Sequence, residues 1–170
     1  SLGLFLNNTD SNLKINTNCH NFNFLKKYFN ESIIFDINNK YSDDLKKKIN
    51  KIKFIESKEN SIKKKILETL NNIDHKKYDY ITFINDDYIY IDNLIDYFNY
   101  FNIHDLDFCS YSDSSEEEYH FQLNLFTIKS DKIDIFKNYL NINKNIYQLH
   151  TIFEKKMVFL KIAYHFNNLK

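Results

Sequence analysis

Three polar residues interrupt an apolar segment near the middle of the chain. Residues 78–91 read YDYITFINDDYIYI, so Asn85, Asp86 and Asp87 are flanked on both sides by Ile, Phe, Thr and Tyr. The flanking residue types favour β-strands, and a carboxylate at the end of a buried strand is costly unless another group satisfies it. Two hypotheses follow: the three residues form a turn between two strands, or a strand end delivers their oxygen atoms to a metal ion.

The metal hypothesis rests on the spacing of these residues. Side chains at positions i and i+2 of a strand point to the same side, so Asn85 and Asp87 would face one ligand together and Asp86 would point the other way. Their oxygen atoms suit Mg²⁺ or Mn²⁺, which complete their coordination shell with water and phosphate oxygens. The alternative is an Asn-Asp turn of a hairpin between ITFI and YIYI. Spacing alone does not choose between them.

The segments around these residues alternate between strand and helix patterns. Apolar runs predict strands, and apolar residues three or four positions apart predict helices. The predicted strands cover residues 2–6, 32–37, 52–56, 80–84, 107–111, 121–128 and 158–165. The predicted helices cover residues 22–29, 43–49, 59–73, 94–101, 132–139 and 146–156. Strands joined through helices predict an α/β fold, a three-layer α/β/α sandwich with a mostly parallel central sheet in a single domain over residues 1–170.

Ligands of such sheets bind outside the carboxyl ends of the strands. Three polar groups fall there in the predicted order: the loop of residues 7–10, Asp36 near the end of the second strand, and residues 85–87. The chain has a single Gly, so it has no Gly-rich phosphate loop of the P-loop or GxGxxG type. A phosphate-containing ligand at this edge must therefore be bound by other groups, for example through a metal ion.

The overall composition excludes several classes of protein. A formal net charge of zero argues against general attraction to nucleic acid, and no apolar run approaches the roughly 20 residues that span a bilayer. Cys19 and Cys109 match no zinc-site spacing, which favours a reducing, cytoplasmic location. The lysines of the predicted helix 59–73 are interpreted as a solvated face. A first residue other than Met suggests a domain cut from a longer protein.

The order of these segments resembles that of glycosyltransferases with the GT-A fold. The likeness rests on SIIFD in the second strand, FINDDYIYI at the fourth, and HFQLNLFTI after the next helix. FINDDYIYI is similar to the DxD motif of that family, with Asn in the first place. The resemblance implies that Asp87 holds Mn²⁺ or Mg²⁺ against a diphosphate, that Asn85 contacts the ion or the ribose, and that His165 supplies a third metal ligand.

The same resemblance implies a donor pocket at this edge of the sheet. Asp36 would contact the nucleobase, and the loop after the first strand would line the pocket. The residues expected to contact the donor are Asn7, Asn8, Thr9, Asp36, Asn60, Asn85, Asp86, His120 and Gln122. Asn60 lies where such enzymes usually carry a Gly and often an Asp near the donor sugar, which is a departure from the family pattern.

A narrower likeness concerns residues 106–140, which are similar to the rhamnan-synthesis F family. The matching positions are Asp107, Phe108, His120, Gln122 and Phe136. This second family match covers about a fifth of the chain, whereas the GT-A likeness covers nearly all of it.

The residue expected to act as base toward the acceptor departs from the family. Relatives place a Glu there, whereas this chain has Gln148, which cannot accept a proton. His150 and Glu154 lie within two helical turns and could act instead.

The resemblance therefore implies a hexosyl- or deoxyhexosyltransferase. Its donor would be a UDP-, GDP- or dTDP-sugar, and its acceptor a glycan or glycoprotein. Two alternatives stay open. One is a non-catalytic module that binds a sugar nucleotide or glycan within a longer protein, which Gln148 favours. The other is a nucleotidyltransferase, which should carry a phosphate-binding Gly, Arg or Lys loop after its first strand, and the sequence NNTDSN of residues 7–12 lacks one.

Overall fold

The computed structural model describes ten parts of the chain: residues 1–7, 12–36, 42–49, 52–56, 59, 61–86, 94–103, 105–111, 125–142 and 157–160. Its strands are β1 Leu2–Asn7, β2 Glu31–Asp36, β3 Lys53–Glu56, β4 Tyr80–Asn85, β5 Phe108–Tyr111, β6 Leu125–Lys129 and β7 Met157–Leu160. Its α-helices are α1 Asn12–Leu25, α2 Ser42–Lys48, α3 Ile62–Asn71, α4 Ile95–Ile103 and α5 Ile133–Ile142. The predicted helix over residues 146–156 lies outside the described parts.

The strands form one mixed sheet in the order β3-β2-β1-β4-β6-β5-β7. β3, β2, β1 and β4 run parallel to one another, and β5 runs parallel to β7. β6 is antiparallel to both of its neighbours, β4 and β5. The predicted mostly parallel sheet is therefore confirmed.

Two separate apolar cores cover the two faces of the sheet. Ile66 and Leu70 of α3 and Phe136 of α5 pack in one core with side chains such as Phe83 of β4. The other core joins α1, α2 and α4 to the opposite side of the same strands, where Phe5 of β1 contributes. Helices on both faces of a central sheet make the three-layer α/β/α sandwich that the alternating pattern predicts.

The position of β4 tests the hypothesis of a hairpin after ITFI. β4 is hydrogen bonded to β1 along one edge and to β6 along the other. In the predicted hairpin, residues 88–91 would pair with ITFI along one of these two edges of β4. Because β1 and β6 already occupy both edges, the hairpin hypothesis is wrong. β4 instead ends at the carboxyl edge of the sheet.

The first helix is longer than the sequence pattern indicates. α1 begins at Asn12, whereas the apolar spacing predicted a start at residue 22. Its buried side includes Asn18 and Asn21 beside Ile15 and Phe22. An amphipathic helix is recognised by apolar residues on its buried side, and the two buried asparagines break that pattern.

A buried polar network holds α4 against the sheet. The hydroxyl of Tyr97 donates a hydrogen bond to the backbone oxygen of Cys109 at 2.9 Å and lies 3.0 Å from the hydroxyl of Thr127. Thr127 and Thr82 share a further hydrogen bond of 2.8 Å between neighbouring strands. Buried polar groups are tolerated when they are satisfied in this way, and the network fixes the helix that follows residues 87–93.

Gly3 occupies a position in β1 with no room for a side chain. A Cβ atom added there would lie 2.4 Å from Cδ2 of Phe29 and 2.8 Å from its Cγ, so the whole ring would have to move. We expect Gly3→Ala to lower the free energy of unfolding by about 1–3 kcal/mol, the usual cost of overpacking a core. Urea denaturation of the variant measures this difference.

The matched control for Gly3 removes the ring that the new methyl group would meet. In a Phe29→Ala background the same substitution should cost much less, because the clash is absent. An increase in stability of Gly3→Ala in the natural background would contradict this packing.

None of the described helices has the length and apolar character needed to cross a membrane.

Candidate functional site

The parallel strands bring the predicted polar residues to one edge of the sheet. Asn7 lies beside Asp36 in the register of β1 and β2, and Asn85 lies beside Leu6 in the register of β4 and β1. Glu56 adjoins Asp36 on the next strand. The ends of β1, β2 and β4 therefore meet at one edge, as the alternating pattern predicts. For Asp36, the structure describes the backbone position.

The strand order reverses between β1 and β4 at this edge. The chain proceeds from β1 outward to β2 and β3, and then returns to β4 on the other side of β1. α1 follows β1 and packs on one face, while α3 precedes β4 and packs on the other. Such a reversal leaves a crevice at the carboxyl ends of the two strands, and ligands of open α/β sheets bind there. Asn7 and Asn85 are the last residues of the two strands.

Asp86 lies buried immediately after β4. Its side chain is 1% exposed, and its Oδ1 lies 3.9 Å from Nζ of Lys14 on α1. Its backbone N–H donates a hydrogen bond of 2.8 Å to the side-chain oxygen of Asn85. A buried carboxylate needs such a positive neighbour, because burial without one is costly. Asp86 thus joins the end of β4 to the first turn of α1.

Asp86 and Leu94, the described residues on either side of positions 87–93, both contact the α1 region. Asp86 pairs with Lys14 of α1. Leu94 donates its backbone N–H to the hydroxyl of Tyr28, 3.3 Å away, in the 3₁₀ turn that follows α1. Both contacts therefore lie on the α1 side of the sheet.

Lys65 lies on α3, the helix that packs on the opposite face of the sheet. Burial lowers the pKa of Lys65; Asp86 raises it and Lys14 lowers it through their charges. Lys65 is half-buried. The interpretation of the α3 lysines as a solvated face fits Lys64, whose side chain is 66% exposed, but it is wrong for Lys65.

Asn7 contributes a buried amide at the end of β1. The residue is 4% exposed, and within the described parts of the chain its Nδ2 has no hydrogen-bond partner. Buried amide donors are nearly always satisfied, by protein, water or ligand. Asn7 thus offers a donor to an acceptor atom that enters the crevice.

Of the three predicted metal ligands, Asn85 lies within the described residues. Asn85 offers a side-chain carbonyl oxygen, which accepts the Asp86 N–H, and such amide oxygens are ligands of divalent cations. The other predicted ligands, Asp87 and His165, lie outside the described residues. The described residues contain no group of three His, Cys, Asp or Glu side chains that could hold a metal ion. The donor chemistry of Asn85 fits Mg²⁺ or Mn²⁺, and the site needs Asp87 beside it.

Most other predicted site residues also lie outside the described parts. They are Asn8, Thr9, Asn60, His120, Gln122, Gln148, His150 and Glu154. Their roles stay predictions. Conversely, the sequence patterns missed Lys14 and Lys65.

Comparisons with known proteins identify the fold. No protein-family model and no curated protein matches the chain, so the narrower rhamnan-synthesis F likeness gains no support. Among solved structures, 4-diphosphocytidyl-2C-methyl-D-erythritol synthase from Anaerococcus prevotii DSM 20548 is similar, with a TM-score of 0.71, 11% identity, and coverage of 96% of this chain and 89% of that one. The galactosyltransferase LgtC, in complex with donor and acceptor sugar analogues, has a TM-score of 0.58 and 14% identity over 94% of this chain and 73% of that one.

A third structure extends the comparison to a longer glycosyltransferase. GlyE from Streptococcus pneumoniae TIGR4 has a TM-score of 0.59 and 14% identity, over 97% of this chain and 46% of that one. At such identities the likeness shows the fold alone. The chain therefore has the nucleotide-diphospho-sugar transferase-like α/β fold, whose neighbours here include nucleotidyltransferases and glycosyltransferases.

Proposed function

We propose that the domain is a metal-dependent glycosyltransferase that moves a sugar from a nucleotide-diphosphate donor to a glycan hydroxyl. The observation that carries the proposal is the crevice between β1 and β4, where Asn7, Asn85 and the pair of Lys14 and Asp86 meet. Asp87 follows Asp86 directly in the chain. Glycosyltransferases among the structural neighbours, such as LgtC, support this choice of reaction.

Each residue of the crevice has a distinct part in this proposal. Asn85 and Asp87 would hold a divalent cation, whose charge would offset that of the leaving nucleoside diphosphate. Asn7 donates a hydrogen bond to the donor, and Asp36 binds the nucleobase side. The proton of the acceptor hydroxyl passes to His150 or Glu154, since the amide of Gln148 cannot take it.

A nucleotidyltransferase is a second candidate, and Lys14 favours it. That class was expected to carry a phosphate-binding cation after its first strand, and Lys14 stands in the first turn of α1, the helix that follows β1. The two reactions differ in their products. A nucleotidyltransferase releases inorganic diphosphate from a nucleoside triphosphate and a sugar phosphate, whereas a glycosyltransferase releases a nucleoside diphosphate.

Thermal denaturation with a panel of UDP-, GDP- and dTDP-sugars and Mn²⁺ tests the proposal. We expect one donor and the metal together to raise the melting temperature by more than either alone, because each completes the binding site of the other. Asp87→Ala should remove the joint effect. Asp43→Ala, in the exposed first turn of α2, is the control and should retain it.

Two outcomes would argue against this function. Absence of a shift with every nucleotide sugar and metal would contradict it outright. Donor binding without release of nucleoside diphosphate in the presence of glycan acceptors would instead identify a non-catalytic sugar-nucleotide-binding module.

A further inference from the structure

We propose that a cleft at the amino end of β4 is a second binding site of this protein and that it takes an uncharged sugar. The cleft has a volume of about 540 Å³, within the roughly 300–1,000 Å³ of small-molecule sites. One wall comes from residues 75–79, which lead into β4, and the other from residues 129–134, which lead from β6 into α5. None of these residues has a part in the proposed glycosyltransferase reaction, so the inference goes beyond that function.

The cleft lies at the opposite end of β4 from the crevice. Tyr78 and Asp79 directly precede β4, and Lys129 pairs with Tyr80, the first residue of that strand. β4 has six residues and ends at Asn85, which places the crevice roughly 17 Å away along the strand. The cleft and the crevice are therefore separate sites.

Ser130 supplies the observation that points to a ligand. The residue is 8% exposed, and within the described parts of the chain its hydroxyl has no hydrogen-bond partner. A serine next to the start of a helix ordinarily caps that helix, but this hydroxyl does not cap α5. Buried hydroxyls are nearly always satisfied by protein, water or ligand. In the complex, a rotation between staggered χ1 rotamers would bring the hydroxyl to the ligand.

Contacts between the two walls hold the cleft in shape. The backbone N–H of Ser130 donates a hydrogen bond of 2.9 Å to the backbone oxygen of Asp79 on the other wall. Asp134 of α5 adds a second link, since its Oδ1 lies 3.6 Å from Nε2 of His75. A site whose walls are already joined loses little conformational entropy when a ligand binds.

The charges of the cleft argue against an anionic ligand. Three carboxylates line it, those of Asp79, Asp131 and Asp134. Of the two lysines that line it, Lys129 already contacts the carboxylate of Asp105 and lies 4.0 Å from that of Asp107. Among the described residues, Lys76 is thus the one lining lysine without an ion pair. A phosphate or carboxylate in the cleft would be repelled by more groups than attract it.

The hydrogen-bonding groups of the cleft suit a ligand that both donates and accepts. The three carboxylates accept hydrogen bonds, whereas the ammonium of Lys76 and the hydroxyl of Ser130 can donate them. Each hydroxyl of a sugar can do both. A cationic amine would use the carboxylates alone and would leave the Ser130 hydroxyl without an acceptor. The mixture therefore favours a neutral, hydroxylated ligand.

Tyr78 adds an aromatic surface to these polar groups. Its hydroxyl donates a hydrogen bond of 2.7 Å to Oε2 of Glu31. Burial and this hydrogen bond raise the pKa of Tyr78 to about 12, so the hydroxyl stays protonated and engaged with Glu31. The ring is left as the part of Tyr78 that a ligand can use, and the apolar C–H face of a sugar packs on such a ring.

Titration of the isotope-labelled protein with the methyl glycosides of glucose, galactose, mannose and N-acetylglucosamine, followed by NMR, tests the proposal. We expect at least one sugar to shift the backbone amide resonances of residues 75–79 and 129–134. Ser130→Ala should weaken that binding about threefold to tenfold, the loss of one hydrogen bond. Ser61→Ala, at an exposed position before α3, is the matched control and should leave the dissociation constant unchanged.

The stability of the ligand-free variant separates a binding role of Ser130 from a structural one. Removing a buried hydroxyl that has no partner leaves no group unsatisfied, so Ser130→Ala should melt at the same temperature as the natural protein or higher. A lower melting temperature together with unchanged sugar binding would make Ser130 structural and overturn the inference. Asp79→Ala, at an exposed position, should likewise weaken sugar binding without lowering the melting temperature.

The probes also distinguish the class of ligand. No shift of these resonances with any of the four sugars would overturn the inference, as would shifts caused by spermidine or inorganic phosphate and by none of the sugars. The outcome is independent of the proposed function, because Ser130→Ala leaves the crevice intact and should retain the joint effect of donor and Mn²⁺. If a sugar binds in the cleft but no donor raises the melting temperature, the proposed function fails and this inference stands.

Discussion

Replacing Phe126 with alanine should lower the free energy of unfolding by about 3–5 kcal/mol, the usual cost of removing a large buried aromatic side chain. Phe126 of β6 is fully buried at the centre of an aromatic group. Its ring stacks on Phe83 of β4 with centroids 4.4 Å apart, and on Phe108 of β5 at 5.7 Å. Phe136 of α5 meets it edge to face at 6.0 Å. One side chain thus joins three strands and a helix.

Urea denaturation followed by circular dichroism measures this effect. Phe126→Leu keeps most of the buried volume and should cost clearly less than the alanine variant. Ile103→Ala, at an exposed position of α4, is the surface control and should change stability by less than about 0.5 kcal/mol. If Phe126→Ala lowered the free energy of unfolding by less than about 1 kcal/mol, the contacts of this aromatic group would contribute little to the stability of the domain.

The strands and most helices were predictable because their patterns are simple. β1, β2 and β4 are almost continuously apolar, as strands covered on both faces must be. α3 has its apolar residues on one side at helical spacing, and Ile66 and Leu70 indeed pack in the core. Such runs predicted an alternating α/β order, and hence an edge at which strand ends meet.

The details of the site depend on tertiary packing that a linear pattern does not contain. Lys63, Lys64 and Lys65 are consecutive in the sequence, and the packing of α3 determines that Lys65 is half-buried while Lys64 is 66% exposed. The contact of Lys14 with Asp86 joins residues 72 positions apart in the chain. Similarly, the start of α1 was hidden because asparagines occupy part of its buried side.

Asp86→Asn should lower the free energy of unfolding by about 1–3 kcal/mol, because it removes the negative partner of Lys14 while keeping the size of the side chain. The cost should stay below the 3–5 kcal/mol typical of breaking a fully buried ion pair, since Lys14 is 25% exposed and can reach water. Denaturation of the ligand-free protein in urea measures it. Asp44→Asn, on an exposed part of α2 beside Lys47, is the control for a surface pair and should cost much less.

The same variant assigns the role of Asp86 in the crevice. Asp86 lies next to Asn85, whose side-chain oxygen accepts its backbone N–H, and its Oδ1 lies 3.9 Å from Nζ of Lys14. If Asp86 only holds Lys14 in place, Asp86→Asn should keep the joint rise in melting temperature that the donor and Mn²⁺ produce, because the ligand still binds the folded state. If Asp86 contacts the donor directly, the variant should lose most of that joint rise, as Asp87→Ala should. The comparison of the two variants therefore separates a residue that holds Lys14 in place from one that binds the donor.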